Sequence, residues 1–263
     1  MTSKLLKYEY LRTRDGILII WAIALGIATV GCLMILMKIP ALSSLGLAFA
    51  VMVTVLLIPA TQLYLGIDYW ASSYRREGYL TQTLPIPGPR IYWAKLAWAV
   101  IATVVSAIIA VLLALAIVAS AGELGTLANW WDQVLEITPA WAFIVVGIVA
   151  VTYLFNLVIS LFFAATLGSI EPLNRWGIGG PVVIMVASYF VTQMTLLLTI
   201  LLIPVGIGLG PSGMELHTFS FASLFTSNTV EFMPVGWIPA VVILSLIQIF
   251  WAARLWRKGA SLN

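Results

Sequence analysis

Six long apolar runs limit what this chain can fold into. Each run is near or above the roughly 20 residues that a helix needs to cross about 30 Å of hydrocarbon. Only 9% of the residues are charged and the mean hydropathy is +1.08, so a water-facing surface could not be covered. The sequence therefore predicts an all-α, polytopic membrane protein with six transmembrane helices. The predicted spans are 16–37, 44–67, 94–120, 139–167, 180–205 and 236–256.

The distribution of positive charge predicts the orientation of these spans. With the N-terminus placed inside, all 13 lysines and arginines except Lys38 fall on the cytoplasmic side. Positive side chains resist translocation, so we expect a multi-pass protein of the cell (cytoplasmic) membrane with both termini cytoplasmic. The outer loops instead carry Glu123, Asp132, Glu136, Glu215 and Glu231.

Tryptophan gives independent support for the positions of the span ends, because its ring prefers the membrane interface. The tryptophans that flank predicted loops or the final inner end are Trp70, Trp93, Trp98, Trp130, Trp131, Trp141, Trp251 and Trp256. We interpret them as interfacial anchors.

Residues 1–15 precede the first span and mix apolar with basic side chains. Leu5, Tyr8 and Leu11 are spaced three residues apart, which favours a short interfacial helix with its lysines toward the phosphates of membrane lipid. An unstructured basic tail that only fixes the orientation is the alternative interpretation.

The predicted outer loop 206–235 is too polar for a full crossing. Its residues Phe219, Phe221, Leu224 and Phe225 are spaced as in a short amphipathic helix. This pattern favours a re-entrant or interfacial hairpin with a turn at 206–213 before span six, because irregular backbone at membrane depth must be buried in protein or face water. An ordinary surface loop is the alternative.

Motifs for chemistry are missing from the sequence. No glycine is followed by lysine, so the nucleotide-binding motif that ends in Gly-Lys does not occur. A lone His217 and a lone Cys32 provide neither a histidine-based metal site nor an internal disulfide. The basic residues are not clustered on a folded face as DNA-binding residues are. We therefore expect no enzyme activity, no cofactor or metal in this chain and no nucleic-acid partner.

The predicted spans contain neutral amides in place of charges. Gln62, Asn156 and Gln193 are candidates for a translocation path, and Gln248 lies in the last span. Such amides also bond across helices for roughly 1 kcal/mol each, and both interpretations stay open. No carboxylate is expected at the midplane, which weighs against an ion-driven carrier.

The predicted cytoplasmic loop 68–93 carries the most charge. Its part 72–83 lacks proline and has room for about three helical turns, with Leu80 and Leu84 on one face. Arg75, Arg76 and Glu77 lie nearby, and the prolines Pro85, Pro87 and Pro89 end the segment. The sequence thus favours a short charged helix held below the membrane by two spans. A solvated loop that only obeys the charge rule is the alternative.

A family resemblance rests on this loop. Arg76-Glu77-Gly78-Tyr79-Leu80, then Thr83-Leu84-Pro85, then Lys95 at the start of the third span, resembles the first cytoplasmic loop of ABC type 2 exporter permeases. In that family a glycine-leucine stretch, a leucine-proline pair and a later lysine recur in this order between the second and third of six spans. The topology is similar along the whole chain.

The resemblance implies a transmembrane permease subunit that pairs with a second permease chain, as a homodimer, and with two copies of a separate ABC ATP-binding subunit that holds ATP and Mg. The segment 72–84 would be the coupling helix that docks on the ATPase, and residues 2–14 the interfacial connecting helix. The outer hairpin would cap the exit path. The ATPase-coupling residues would be Arg75, Arg76, Glu77, Gly78, Tyr79, Leu80, Leu84 and Pro85.

These expectations describe an exporter that moves a drug, a peptide or a lipid-like substrate across the membrane by alternating access. A second hypothesis is a non-transporting membrane sensor or assembly module that uses the same loop to hold a cytoplasmic partner.

Overall fold

The computed structural model describes residues 2–75, 78, 86–210, 213–218 and 232–257. Long helices dominate this part of the chain, and three short strands lie before the last helix. The helices are α1 Thr2–Leu36, α2 Pro40–Tyr74, α3 Gly88–Ala121, α4 Leu124–Ile137, α5 Ala140–Gly168, α6 Gly179–Leu202 and α7 Ile238–Arg257. The strands are β1 Val205–Gly210, β2 Gly213–Thr218 and β3 Phe232–Pro234, and one 3₁₀ turn covers Leu173–Trp176.

Six helices of the described part are long and apolar enough to cross a membrane: α1, α2, α3, α5, α6 and α7. The prediction of a predominantly helical, multi-pass membrane protein is thereby confirmed. The short helix α4 lies between the third and fourth of these spans and was predicted only as part of an outer loop.

The first three helices are longer than a bilayer requires. They have 35, 35 and 34 residues, so each is about 50 Å long against about 30 Å of hydrocarbon. Their charged residues lie toward the N-terminus of α1, the C-terminus of α2 and the N-terminus of α3. We call this the basic end of the bundle. The length in excess of one crossing is about 20 Å for each of the three helices.

Helices α1 and α2 form a hairpin in which the two backbones nearly touch. A Cβ added to Gly31 would lie 2.6 Å from the carbonyl oxygen of Gly46, and one added to Gly46 would lie 2.6 Å from that of Gly31. Ala24, Ala28 and Ala50 are also buried on these helices. Such small residues replace bulky side chains at close helix crossings in lipid, where van der Waals packing supports association.

Helix α1 differs from the prediction because it continues without a break through residue 15. The predicted interfacial helix 1–15 and the first span are one helix in the structure. The reason is that one face of α1 packs against the bundle along the whole helix. Its buried residues include Glu9, Thr13, Ile17, Ala24 and Ala28. A helix that turned into the headgroup layer at residue 15 would lose this shared face.

The second half of the bundle is built around α5, which packs against α2, α6 and α7. Val158 and Phe162 of α5 join Tyr69, Tyr92 and Ala252 in the largest buried cluster. Helix α6 leaves most of its apolar side chains exposed. Helices α5 and α6 are therefore less enclosed by their own chain than α3 and α7 are.

The segment predicted as an outer re-entrant or interfacial hairpin contains strands in its described part, and strand β1 covers most of the predicted turn at 206–213. Strand β1 lies between β2 and β3 in an antiparallel sheet, with Val205 opposite Thr218 and Gly206 opposite Pro234. Alternating glycines in β1 disfavour a helix by about 1 kcal/mol each, whereas the period of two suits a strand. The predicted amphipathic helix around Phe219, Phe221, Leu224 and Phe225 lies outside the described residues.

The close contact of α1 and α2 predicts a steric effect at Gly31. We expect Gly31→Ala to lower the free energy of unfolding by roughly 1–3 kcal/mol, because the added methyl group overpacks a backbone contact. Unfolding of the purified protein in mixed micelles, followed by circular dichroism, would measure this change.

Gly26 on the same helix provides the matched control. A Cβ added there meets no atom within 4 Å, and alanine favours a helix over glycine by up to about 1 kcal/mol. Gly26→Ala is therefore expected to be neutral or stabilising. Equal destabilisation by the two variants would contradict the close approach of α1 and α2.

Candidate functional site

Four charged side chains from three helices meet at the basic end of the bundle. Glu9 and Arg12 come from α1, Asp68 from α2 and Lys95 from α3. Arg12 Nη2 lies 2.6 Å from Glu9 Oε2 and 2.5 Å from Asp68 Oδ2, and Lys95 Nζ lies 3.1 Å from Glu9 Oε1. We call this group the charge cluster. Two carboxylates thus balance two cations across three helices.

The charge cluster is shielded from solvent. The side chains of Lys95 and Glu9 are 2% and 8% exposed, and those of Arg12 and Asp68 are 19% and 22% exposed. Buried charges are strongly unfavourable unless they are paired and hydrogen-bonded. Each member therefore depends on the positions of the others.

Neutral hydrogen bonds extend the charge cluster. Lys95 Nζ donates to Ser72 Oγ on α2 at 2.8 Å. Trp98 Nε1 on α3 donates to Thr13 Oγ1 on α1 at 2.7 Å, and Thr13 in turn donates to the backbone carbonyl of Glu9. Helix α3 is consequently bonded to both α1 and α2 through polar side chains at this end.

A second contact group surrounds Tyr69, one residue after Asp68. The Tyr69 hydroxyl lies 2.7 Å from Thr166 Oγ1 of α5 and accepts a hydrogen bond from Trp256 Nε1 of α7 at 2.8 Å. Its ring stacks on Phe162 with the centroids 4.1 Å apart. Residues 68–69 of α2 therefore contact α1 on one side and α5 and α7 on the other.

The chain leaves this region through two residues that the sequence singled out. The Arg75 guanidinium lies 4.5 Å from the centre of the Trp70 ring. The Gly78 amide donates to the Arg75 carbonyl at 2.7 Å, and an added Cβ at Gly78 would lie 2.6 Å from the carbonyl oxygen of Ser73. Glycine at 78 thus permits a tight backbone return directly after α2.

The first residues of the predicted coupling segment 72–84 belong to α2. Helix α2 continues to Tyr74 and α3 begins at Gly88, so the predicted loop 68–93 is reduced to 75–87 between the two helices. Pro87 caps α3 and Pro89 lies in its first turn, which is a position where proline costs no hydrogen bond. The coupling residues Arg76, Glu77, Tyr79, Leu80, Leu84 and Pro85 lie outside the described residues.

Two of the three candidate path residues form hydrogen bonds between helices. Gln62 Nε2 donates to the Leu154 carbonyl at 2.6 Å, and Asn156 Nδ2 donates to Ser245 Oγ at 3.3 Å. Gln193 is half-buried on α6. Gln62 and Asn156 therefore serve as bonds between helices, as does Gln248, which accepts a hydrogen bond from Ser160.

The charge cluster contains residues that the sequence reasoning missed. Lys95 is the one member of the charge cluster that the sequence pattern indicates, through the family resemblance. The three-residue spacing of Glu9 and Arg12 was a usable signal, since such residues are neighbours on a helix. Their pairing with Asp68 and Lys95 joins positions 56 and 86 residues apart, which local patterns do not reveal.

Ion pairs occupy both carboxylates of the charge cluster. Every carboxylate of the charge cluster already faces a cation, and in the described part of the chain no group of three or more His, Cys, Asp or Glu side chains could hold a metal ion. Comparison with known proteins finds no matching protein-family model, curated protein or solved structure.

The exposure of two neighbouring arginines predicts different effects on stability. Arg12→Met is expected to lower the free energy of unfolding by about 2–3 kcal/mol, because it leaves Asp68 and Glu9 with less compensation in a shielded site. Within the described residues Arg14 pairs with its neighbour Asp15, and these side chains are 47% and 77% exposed. Arg14→Met should therefore change stability by less than about 0.5 kcal/mol. Thermal unfolding in detergent micelles would compare the two variants.

A double variant would separate a lost ion pair from general disruption. In Arg12→Met with Asp68→Asn, the carboxylate that Arg12 compensates is also removed, so the combined loss should be clearly smaller than the sum of the single losses. Additive losses would mean that Arg12 and Asp68 do not form a functional pair.

Proposed function

We propose that this chain is the membrane-spanning permease subunit of an ATP-driven ABC exporter. It would move a drug, a peptide or a lipid-like substrate across the cytoplasmic membrane by alternating access, with ATP and Mg bound by a separate ATP-binding subunit. The observation that supports this proposal best is the charge cluster. It joins α1, α2 and α3 at the end of the bundle where residues 75–87 connect α2 to α3, and this segment resembles the coupling region of such permeases.

The geometry suggests how a partner could act on the spans. Helices α2 and α3 both continue from the 75–87 segment into the membrane, and Asp68 and Lys95 connect both of them to α1. A displacement of this segment would therefore reach all three helices together. A partner that binds one arrangement better than another would shift the population toward it.

One position on α2 could accommodate such a displacement. Pro59 lies inside the helix, between the charge cluster and the Gly46 contact. Proline removes one backbone hydrogen bond and its ring clashes with the preceding turn, so the helix is weakest there. We assign Pro59 as the point where the basic end could tilt relative to the membrane half.

The placement of polar groups supports a path between two copies of the chain. Gln62 and Asn156 are engaged in bonds between helices of one chain, whereas α6 and α7 expose long apolar faces. A homodimer would cover part of these faces and enclose a route for substrate between the copies. Two ATP-binding subunits would then match the two permease chains.

Co-purification from native membranes is the primary test of this function. The tagged chain should carry with it a protein with a nucleotide-binding motif and ATPase activity, and the reconstituted complex should consume ATP in step with substrate movement. Association with a different cytoplasmic protein and no ATPase would overturn the proposal and favour the sensor or assembly module.

Charge reversal in the coupling segment tests the mechanism. Glu77→Lys should abolish substrate-stimulated ATP hydrolysis and transport while the thermal unfolding of the permease stays unchanged, because an interface charge sets register and rate of docking. Glu123→Lys, in a predicted outer loop, is the matched control and should retain both activities. Full transport by the Glu77→Lys complex would exclude the coupling role of this residue.

The side of the membrane can be tested with the same segment. A cysteine at Tyr79 in a Cys32→Ala background should react with a membrane-impermeant maleimide only after the cells are opened. Labelling of intact cells would place the segment outside and contradict an ATPase partner.

A further inference from the structure

Helix α4 is strongly amphipathic and connects α3 to α5 at the end of the bundle opposite the charge cluster. Its 14 residues are about 21 Å long, too short to cross about 30 Å of hydrocarbon. At 100° per residue, the apolar side chains occupy one continuous half of the helix and the polar ones the other. The apolar half comprises Leu124, Leu127, Ala128, Trp130, Trp131, Val134, Leu135 and Ile137, and the polar half Gly125, Thr126, Asn129, Asp132, Gln133 and Glu136.

The rest of the chain, as far as the structure describes it, leaves the apolar half of α4 largely uncovered. No residue of α4 is buried, and the large apolar side chains at 124, 130, 131, 135 and 137 are 43% to 56% exposed. Only limited contacts hold the helix, such as the Trp131 ring 6.3 Å from the Phe143 ring of α5. The apolar half of α4 must therefore contact something other than the described part of the chain.

The turn before α4 fixes where that environment lies. Gly122 ends α3 in the left-handed conformation with φ 79°, and the Glu123 amide donates back to the Val118 carbonyl, which forms a Schellman C-cap. Helix α4 begins at the next residue, and α5 begins only a few residues after α4 ends. Because it connects the ends of two spans, α4 lies at the level where the hydrocarbon meets water.

Exposure to water alone would be costly for this helix. Removal of a large apolar side chain from water is favourable, and five such side chains of α4 are about half exposed. Tryptophan rings favour the interfacial layer of a bilayer, and two of them lie side by side at 130 and 131. The same layer accepts the polar half of the helix on its water side.

We propose that α4 is an interfacial helix whose apolar half inserts among zwitterionic phospholipids. It does so at the end of the spans opposite the charge cluster. Residues 123–137 contain Glu123, Asp132 and Glu136 and neither lysine nor arginine. Hydrophobic burial therefore holds the helix, without the attraction to anionic lipid on which basic interfacial helices depend. This inference depends on the spans and is independent of the proposed transport function.

Site-directed spin labels on the full chain in zwitterionic liposomes test this surface. In a Cys32→Ala background, a label at Leu135→Cys reports the apolar half and one at Gln133→Cys, two residues away, reports the polar half. Leu124→Cys and Asn129→Cys form a second matched pair. We expect severalfold higher collision with oxygen at 124 and 135 than at 133 and 129, and the reverse order for a water-soluble nickel complex.

Each other outcome contradicts the proposal in a distinct way. Equal access of the nickel complex to both halves would mean that α4 extends into water. Exclusion of both reagents at 135, with dipolar broadening between labels, would mean that a second copy of the chain covers the face. Immersion that appears only with added anionic lipid, or that salt reverses, would mean that electrostatic attraction holds the helix.

Discussion

The rest of the structure depends on the compensation of four charges at the basic end, two of them buried and two partly buried. The four residues come from three helices: Glu9, Arg12, Asp68 and Lys95. Removal of any one of them would leave an uncompensated charge in a shielded site. In a shielded site the charges are compensated only when their side chains are close together, so ion pairing constrains the positions of the helices as well as their stability. It fixes α1, α2 and α3 relative to one another, and Tyr69 then connects them to α5 and α7.

Two kinds of packing follow one another along the same helices. In the membrane half, Gly31 and Gly46 bring α1 and α2 into backbone contact, because apolar side chains gain little from leaving lipid for each other. At the basic end, ion pairs and hydrogen bonds give specific directions to the contacts. Pro59 lies inside α2 between the two regions, so the helix lacks one backbone hydrogen bond where one kind of packing replaces the other.

The two ends of the bundle meet different surroundings. At the basic end, Arg75 and Gly78 begin a short connection close to a network that already joins five helices. At the opposite end, α4 and the three-stranded sheet contact the bundle lightly. Within the described part of the chain, polar side chains therefore connect the helices more extensively at the basic end than at the opposite end.

The sequence by itself determined the six spans, since lipid as a solvent requires about 20 consecutive apolar residues whatever their partners are. It also located the connection between the second and third spans. It misplaced the end of α2, the break after residue 15 and the form of the segment before α7. Those features depend on contacts between groups that are distant in sequence. Helix α1 includes Glu9, which pairs with Lys95, 86 residues later in the sequence. Strand β1 forms because β2 and β3 pair with it. Only tertiary structure brings such groups together, because pairing energy depends on position in space, whereas hydropathy is a local property of the chain.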